Sequence, residues 1–135
     1  MMQYNEEYHS FGQVIIMQAK YVKDIQSLTN EEVNALEELI SKARANFFVK
    51  DVILFGSKAR GDSDEFSDVD VMVIIDGEES KYNRNKLSEI AFEVNYKYDT
   101  NIYAGLAYSS KWQNIDYLSL PLPSNIKREG VILHV

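Results

Sequence analysis

Two aspartates, Asp68 and Asp70, stand one residue apart where a polar loop gives way to an apolar run. Residues i and i+2 of a β-strand point to the same face, so both carboxylates would project together from one end of a strand. Two carboxylates that close repel each other unless a cation lies between them or one is protonated. Oxygen ligands of this kind suit Mg²⁺, which often binds one or two carboxylates together with substrate phosphates. The alternative for an isolated Asp-x-Asp is a solvated loop.

A Gly-Ser pair, Gly56 and Ser57, ends the apolar run "VILF" that precedes this loop. Glycine lets backbone approach a ligand because it has no Cβ. The residues after it can open a helical turn, whose free amides and partial positive charge suit phosphate oxygens. Lys58 and Arg60 are near enough to add positive charge, and Ser57 adds a hydroxyl donor. A Gly-Ser pair by itself is usually only a turn.

The two halves occur together, with ten residues between Ser57 and Asp68, in the string "FGSKARGDSDEFSDVDVMV". This string resembles the signature of the nucleotidyltransferase superfamily related to DNA polymerase β, including its Gly-Ser-x-Ala-Arg-Gly and Ser-Asp-x-Asp elements. The resemblance implies ATP as substrate and two Mg²⁺ ions bound by Asp68 and Asp70. It also implies a triphosphate site formed by Gly56, Ser57, Lys58, Arg60 and Ser67.

A third carboxylate on a neighbouring strand normally completes the site in this superfamily. Asp99, just ahead of the apolar run "TNIYAGLAY", is our candidate for a catalytic residue and third metal ligand. If Asn101 takes that place instead, the site lacks one acid.

The short chain is most similar to the minimal nucleotidyltransferase (MNT) group, whose single domains are often encoded beside a helical HEPN-type protein. Some members act as antitoxins by transferring AMP from ATP to a tyrosine of that partner. The tail "PLPSNIKREGVILHV" resembles the "I-x-x-E-G" ending of the group, so the likeness covers about residues 30–135. The resemblance implies a transferase acting on a protein hydroxyl with a HEPN-type partner. A small-molecule transferase and a non-catalytic, partner-binding antitoxin are the alternatives.

The apolar spacing predicts a mixed α/β (α+β) domain with a small central sheet packed against helices. The resemblance implies that this domain has the nucleotidyltransferase fold. Residues 1–28 are predicted to be a helical N-terminal extension, although "QVIIM" could pair as an edge strand, and residues 29–135 the nucleotidyltransferase domain. Thr29 and Glu32 form a capping box that starts a helix. Strands are predicted at "DVILF", "DVDVMVII" and "TNIYAGLAY", and further helices at about 80–97, 111–117 and 125–129.

Composition limits the classes of function. The 135 residues carry a net charge of −7, which repels nucleic acid and anionic membranes, so we expect neither as the main partner. The chain has no cysteine, which excludes disulfides, zinc–thiolate sites and thiol catalysis. No segment approaches the roughly 20 apolar residues of a membrane span, and no secretory signal is recognisable. We therefore expect a cytoplasmic protein.

Overall fold

A computed structural model describes residues 3–10 and 13–135, with side chains described from Met17 onwards. Across these residues the backbone forms a six-stranded mixed sheet in the order β1-β2-β6-β3-β4-β5. Its strands are β1 (Gln3–Ser10), β2 (Gln13–Tyr21), β3 (Val49–Phe55), β4 (Val69–Ile75), β5 (Ile102–Tyr108) and β6 (Val131–His134). Strands β2 and β6 pair in parallel, as do β4 and β5, whereas β3 runs antiparallel to both of its neighbours.

Helices lie on both faces of the sheet, which confirms the predicted mixed α/β fold class. They are α1 (Asn30–Asn46), α2 (Ser57–Arg60), α3 (Lys81–Tyr98), α4 (Ser109–Trp112), α5 (Ile115–Leu118) and α6 (Pro121–Glu129). Helices α1 and α3 pack on one face, and α4, α5 and α6 supply apolar side chains to the other. No helix in the described part of the chain is long and apolar enough to cross a membrane.

The two strands that flank the polar loop are buried on both faces. Along β4, Val71 and Val73 join the core under α1 and α3, whereas Met72 and Ile74 join the opposite core. A strand covered on both sides reads as a continuous apolar run, which is why "VILF" and "VMVII" lack alternation. Such strands are rigid supports for the polar groups at their ends.

The predicted capping box is confirmed and sets where α1 begins. The Thr29 side chain accepts from the Glu32 amide at 3.1 Å, and the Glu32 carboxylate accepts from the Thr29 amide at 2.9 Å. Two amides of the first turn are thereby satisfied. Glu32 also takes part in the structure of the neighbouring polar loop, described below.

The prediction that residues 1–28 are helical is wrong for the residues that the structure describes there. Residues 13–21 form β2, followed by a short 3₁₀ turn at Val22–Asp24. Met17 and Ala19 are buried and Gln18 is exposed, which is the alternation of a strand. Strand β1 pairs with residues 13–20 along one edge of β2, and β6, from the other end of the chain, pairs with residues 18–21 along the other edge. Pairing with both neighbouring strands overrides the three- and four-residue spacing of Val14, Met17 and Tyr21, which favours a helix.

Candidate active site

Gly56 and Asp70 meet where β3 ends and β4 begins. The last residue of β3, Phe55, pairs with Asp70 across the antiparallel ladder, so Gly56 lies directly beside the Asp70 side chain. Gly56 has φ +75°, and a Cβ placed on it would lie 2.6 Å from Asp70 Oδ2. Both the positive φ and the close carboxylate require glycine here. The structure therefore brings together the two halves of the sequence motif.

A single helical turn, α2, follows Gly56. The amides of Ala59 and Arg60 both donate to the Gly56 carbonyl, at 3.1 and 3.0 Å. Gly61, at φ +82°, ends the turn in the left-handed conformation. Ser57 is the first residue of the turn and is partly exposed beside Gly56. The loop therefore has the tight geometry that the Gly-Ser pair predicted.

The carboxyl of Asp70 is affected by its burial and by the charge of Asp68. Burial, and then the negative charge of Asp68, raise the pKa of the Asp70 carboxyl, and the positive charge of Arg60 acts in the opposite direction. Asp68 is exposed and Asp70 is partly buried. A cation between the two carboxylates would relieve this repulsion. The donor set is all oxygen, so its chemistry fits Mg²⁺.

The neighbouring strand β5 places a side-chain amide against this pair. Val69 pairs with Ile102 and Asp70 with Tyr103 in the parallel register, and the Val69 amide donates to the Asn101 carbonyl at 3.1 Å. The Asn101 side-chain amide donates to Asp68 Oδ1. Tyr103 lies opposite Asp70 and is 56% exposed. Asn101 is therefore the β5-side residue that contacts the aspartate pair.

Asp99 does not complete a triad with Asp68 and Asp70. Among the described side chains no three His, Cys, Asp or Glu residues are grouped so that they could hold a metal ion. Asp99 ends α3 in the left-handed conformation, with φ +53° and ψ +51°. It lines a cleft of about 610 Å³ that neither Asp68 nor Asp70 lines. The structure positions Asp99 at a helix end and not on strand β5, so the predicted third metal ligand does not fit this position, and a catalytic role of Asp99 stays a prediction.

Lys58 does not present its charge to the loop. Its side chain is 2% exposed, and its ammonium lies 3.2 Å from Glu32 Oε1. The same ammonium donates to the Ser27 carbonyl at 3.1 Å. Since a buried cation needs a partner, Lys58 ties the loop to the start of α1. Its predicted role as a nucleotide ligand does not fit this position.

Arg60 is the basic residue that remains at the loop surface. Its side chain is 45% exposed and pairs with Asp62 at 3.1 Å. Its charge acts on Asp70, as described above. The Ser67 hydroxyl, by contrast, donates to Asp64 Oδ1 at 3.2 Å and accepts from the Asp64 amide at 3.0 Å. Ser67 therefore closes the turn that leads into Asp68, and its contact with a nucleotide stays a prediction.

Sequence reasoning missed Glu129, the last residue of α6. Its Oε1 accepts from the Gly56 amide at 3.2 Å, and both carboxylate oxygens accept from Arg60 Nη1 at 3.2 Å. The Glu-Gly pair of the tail was the available signal. It could not be connected with Gly56 from the sequence, because 73 positions separate the two residues.

Comparison with known families identifies the class of protein to which this fold and this loop belong. The model of the nucleotidyltransferase domain family matches residues 34–129, more than half of the chain. The chain belongs to that family. The match includes Gly56, Ser57, Asp68 and Asp70, and ends at Glu129.

Two proteins of Methanocaldococcus jannaschii, both carrying the provisional name protein adenylyltransferase, are similar to this chain. One is 48% identical over 48 residues, which is 36% of this chain and 48% of that protein. The other is 40% identical over 73 residues, 51% of this chain and 50% of that protein. The matched segments thus span about half the length of these relatives.

A solved structure has a similar fold. It is a crystal structure from Sulfolobus solfataricus that carries the provisional name nucleotidyltransferase, with a TM-score of 0.51 at 19% identity. The alignment covers 73% of this chain and 76% of that one. At this identity the likeness supports the fold.

Proposed function

We propose that this chain transfers AMP from ATP to a hydroxyl group of a protein, with Mg²⁺ as cofactor. The observation that carries the proposal is the contact of Gly56 with Asp70, which sets a tight glycine turn against a pair of carboxylates. The names of the two archaeal relatives support adenylyl transfer to protein. As in the MNT group, a helical HEPN-type protein is the proposed acceptor.

The chain's own residues would divide the work as follows. Ser57 and Arg60 would hold the triphosphate against the turn after Gly56. Asp68 and Asp70 would bind Mg²⁺, which supplies charge to neutralise the phosphates. In the transfer, the acceptor oxygen bonds to the α-phosphorus. The bond between the α-phosphorus and the oxygen that bridges it to the β-phosphate breaks, and pyrophosphate leaves. The acceptor proton passes to solvent or to a carboxylate of the pair.

One observation favours a second candidate function, a binding protein without catalysis. Asn101, a neutral residue, contacts Asp68 from the strand where this superfamily normally supplies an acid. A site with two carboxylates would bind metal less tightly, because fewer negative ligands lower cation affinity. Partner binding would then persist without transfer.

A transfer assay distinguishes the two candidates. The purified chain, Mg²⁺ and labelled ATP are mixed with the product of the neighbouring gene, the proposed acceptor, and label on protein is measured. We expect label on the partner, and we expect Asp70→Asn to lower the rate by roughly 10²-fold or more while the fold is kept. Asp116→Asn is the matched control, because Asp116 is an exposed aspartate outside the segment that carries the Gly-Ser and Asp-x-Asp elements.

The outcomes are separate. Label that persists in a folded Asp70→Asn protein would contradict the assigned site. A stable complex that carries no label, together with absence of ATP binding, would favour the binding protein.

A further inference from the structure

The carboxylate of Glu129 joins two parts of the loop that follows β3. One contact is with the backbone, since Oε1 accepts from the Gly56 amide at 3.2 Å. The other is with a side chain, since both oxygens lie 3.2 Å from Arg60 Nη1. The Glu129 side chain is 17% exposed, so these contacts are partly shielded from water and weakly screened.

Helix α6 gains nothing from an acid at this position. The last turn of a helix carries partial negative charge, which favours lysine and arginine and disfavours glutamate. Lys127 and Arg128 of the same turn are the favourable residues. The position of Glu129 is therefore explained by the loop that it contacts and not by its own helix.

The residue after Glu129, Gly130, allows the end of α6 to pack closely against the sheet. A Cβ on Gly130 would lie 2.3 Å from the Ile126 carbonyl oxygen and 2.6 Å from Ile53 Cγ2. Ile53 belongs to β3, the strand that ends at Gly56. Because α6 and the loop are both anchored to β3, the carboxylate is held at a fixed place beside the loop.

We propose that Glu129 is a positioning residue of the nucleotide site, which fixes the Gly56 amide and the Arg60 guanidinium relative to each other. The inference rests on the proposed function, since a nucleotide is what the positioned loop would receive. Glu129 acts through Gly56 and Arg60 and does not itself touch the phosphates, which its charge would repel. Replacing Glu129 should therefore change the turnover rate more than the affinity for the nucleotide.

Two substitutions separate the two contacts. Glu129→Gln keeps an oxygen that can accept from the Gly56 amide but removes the charge that pairs with Arg60. Glu129→Ala removes both contacts. Arg128→Ala, in the same turn and exposed, is the matched control. Thermal unfolding of each variant shows whether the fold is retained.

The first measurement uses no nucleotide. In ¹H–¹⁵N spectra of the labelled chain, we expect the Gly56 amide to move upfield in Glu129→Ala, since it loses its acceptor, and to move much less in Glu129→Gln. An unchanged Gly56 resonance in folded Glu129→Ala would overturn the inference.

The second measurement is transfer kinetics. For Glu129→Ala we expect kcat to fall by about 10- to 100-fold, because displaced catalytic geometry is costly. KM for ATP should change by less than about threefold. A less ordered loop would weaken ATP binding, whereas removal of the Glu129 charge, which repels the phosphates, would strengthen it. Arg128→Ala should match the parent. Equal kcat for Glu129→Ala and the parent would overturn the inference.

A double variant tests whether the effect passes through Arg60. If it does, Glu129→Gln combined with Arg60→Gln should be no slower than Arg60→Gln alone, and independent losses that multiply would contradict this. The proposed function fails separately. A parent chain that binds no ATP with Mg²⁺ would reject that function and this inference together, whereas parent-like Glu129 variants of an active chain would reject this inference alone.

Discussion

At the scale of single residues, two contacts made by the aspartate pair define the site. Gly56 leaves room for the Asp70 carboxylate, because a Cβ at position 56 would collide with it. Asn101 donates a hydrogen bond to Asp68 and so partly satisfies an exposed carboxylate. An amide can also turn its oxygen towards a cation, which makes Asn101 a neutral candidate for the third ligand position.

Replacing this amide by an acid should strengthen cation binding. We expect Asn101→Asp to bind Mn²⁺ or Mg²⁺ about tenfold more tightly than the parent, because ligand charge raises cation affinity. Without metal, the added carboxylate should lower the melting temperature through repulsion with Asp68. Calorimetric titration and thermal unfolding with and without metal measure both effects. Asp99→Asn is the control that should leave affinity unchanged, and a parent-like Asn101→Asp protein would contradict the assignment.

At the scale of elements, ion pairs connect α1 to the loop and to α3. The first is Lys58 with Glu32, at 3.2 Å with side chains only 2% and 11% exposed. Removing one partner of a buried pair leaves an uncompensated charge, which costs about 3–5 kcal/mol. This pair fixes the buried side of α2 to the start of α1, whereas Arg60 lies on the exposed side of α2.

We therefore expect Lys58→Met to lower the free energy of unfolding by about 3 kcal/mol. Lys86→Met is the matched control, because Lys86 pairs with Glu89 at 3.7 Å on the surface, and it should change stability by less than about 0.5 kcal/mol. Urea titration measures both variants. Equal stabilities would show that the Lys58–Glu32 pair contributes nothing.

The second connection is Glu38 of α1 with Lys97 of α3. Hydrogen bonds from Lys97 and then Tyr98 lower the pKa of Glu38 from 4.5 to about 2. A lowered pKa in the folded state stabilises the protein above the unfolded value, and this contribution is lost as the pH falls towards the folded value.

Glu38→Gln should accordingly be less stable than the parent at pH 7. The loss should be at most about 1 kcal/mol, because the Lys97 side chain is 59% exposed and its charge is screened by water. The difference should shrink between pH 4.5 and pH 2. Denaturant titrations across this range test the prediction, and a difference that is independent of pH would contradict it.

At the scale of the whole molecule, the end of the chain completes the middle of the sheet. Strand β6 lies between β2 and β3, and Val131, Ile132 and Leu133 are at most 5% exposed. Burying three such side chains contributes roughly 5–9 kcal/mol, comparable with the whole stability of a domain.

We expect a chain that lacks residues 131–135 to lose cooperative unfolding. Val135→Ser is the matched control, since Val135 is 51% exposed, and it should unfold like the parent. Circular dichroism and near-ultraviolet spectra during heating measure the difference. A shortened chain with a sharp transition at the parent temperature would show that β6 is dispensable.

The sequence by itself determined the features that depend on neighbouring residues. The Gly-Ser turn after β3, the aspartate pair at the start of β4 and the capping box at Thr29 were all predictable from it. So were the elements from α1 to β5, because spacing, capping and turn chemistry act within a few residues.

Only the tertiary structure decided the features that need a distant partner. Residues 18–21 are joined to the rest of the sheet by β6, from the other end of the chain, whereas β1 pairs with residues 13–20. Lys58 was directed inwards by Glu32, and Glu129 was brought to Gly56 by the packing of α6 on β3. The register of β4 and β5 set Asn101, not Asp99, against Asp68. The physical reason is the same in each case: side-chain direction and strand pairing are set by packing between segments that are far apart in the chain.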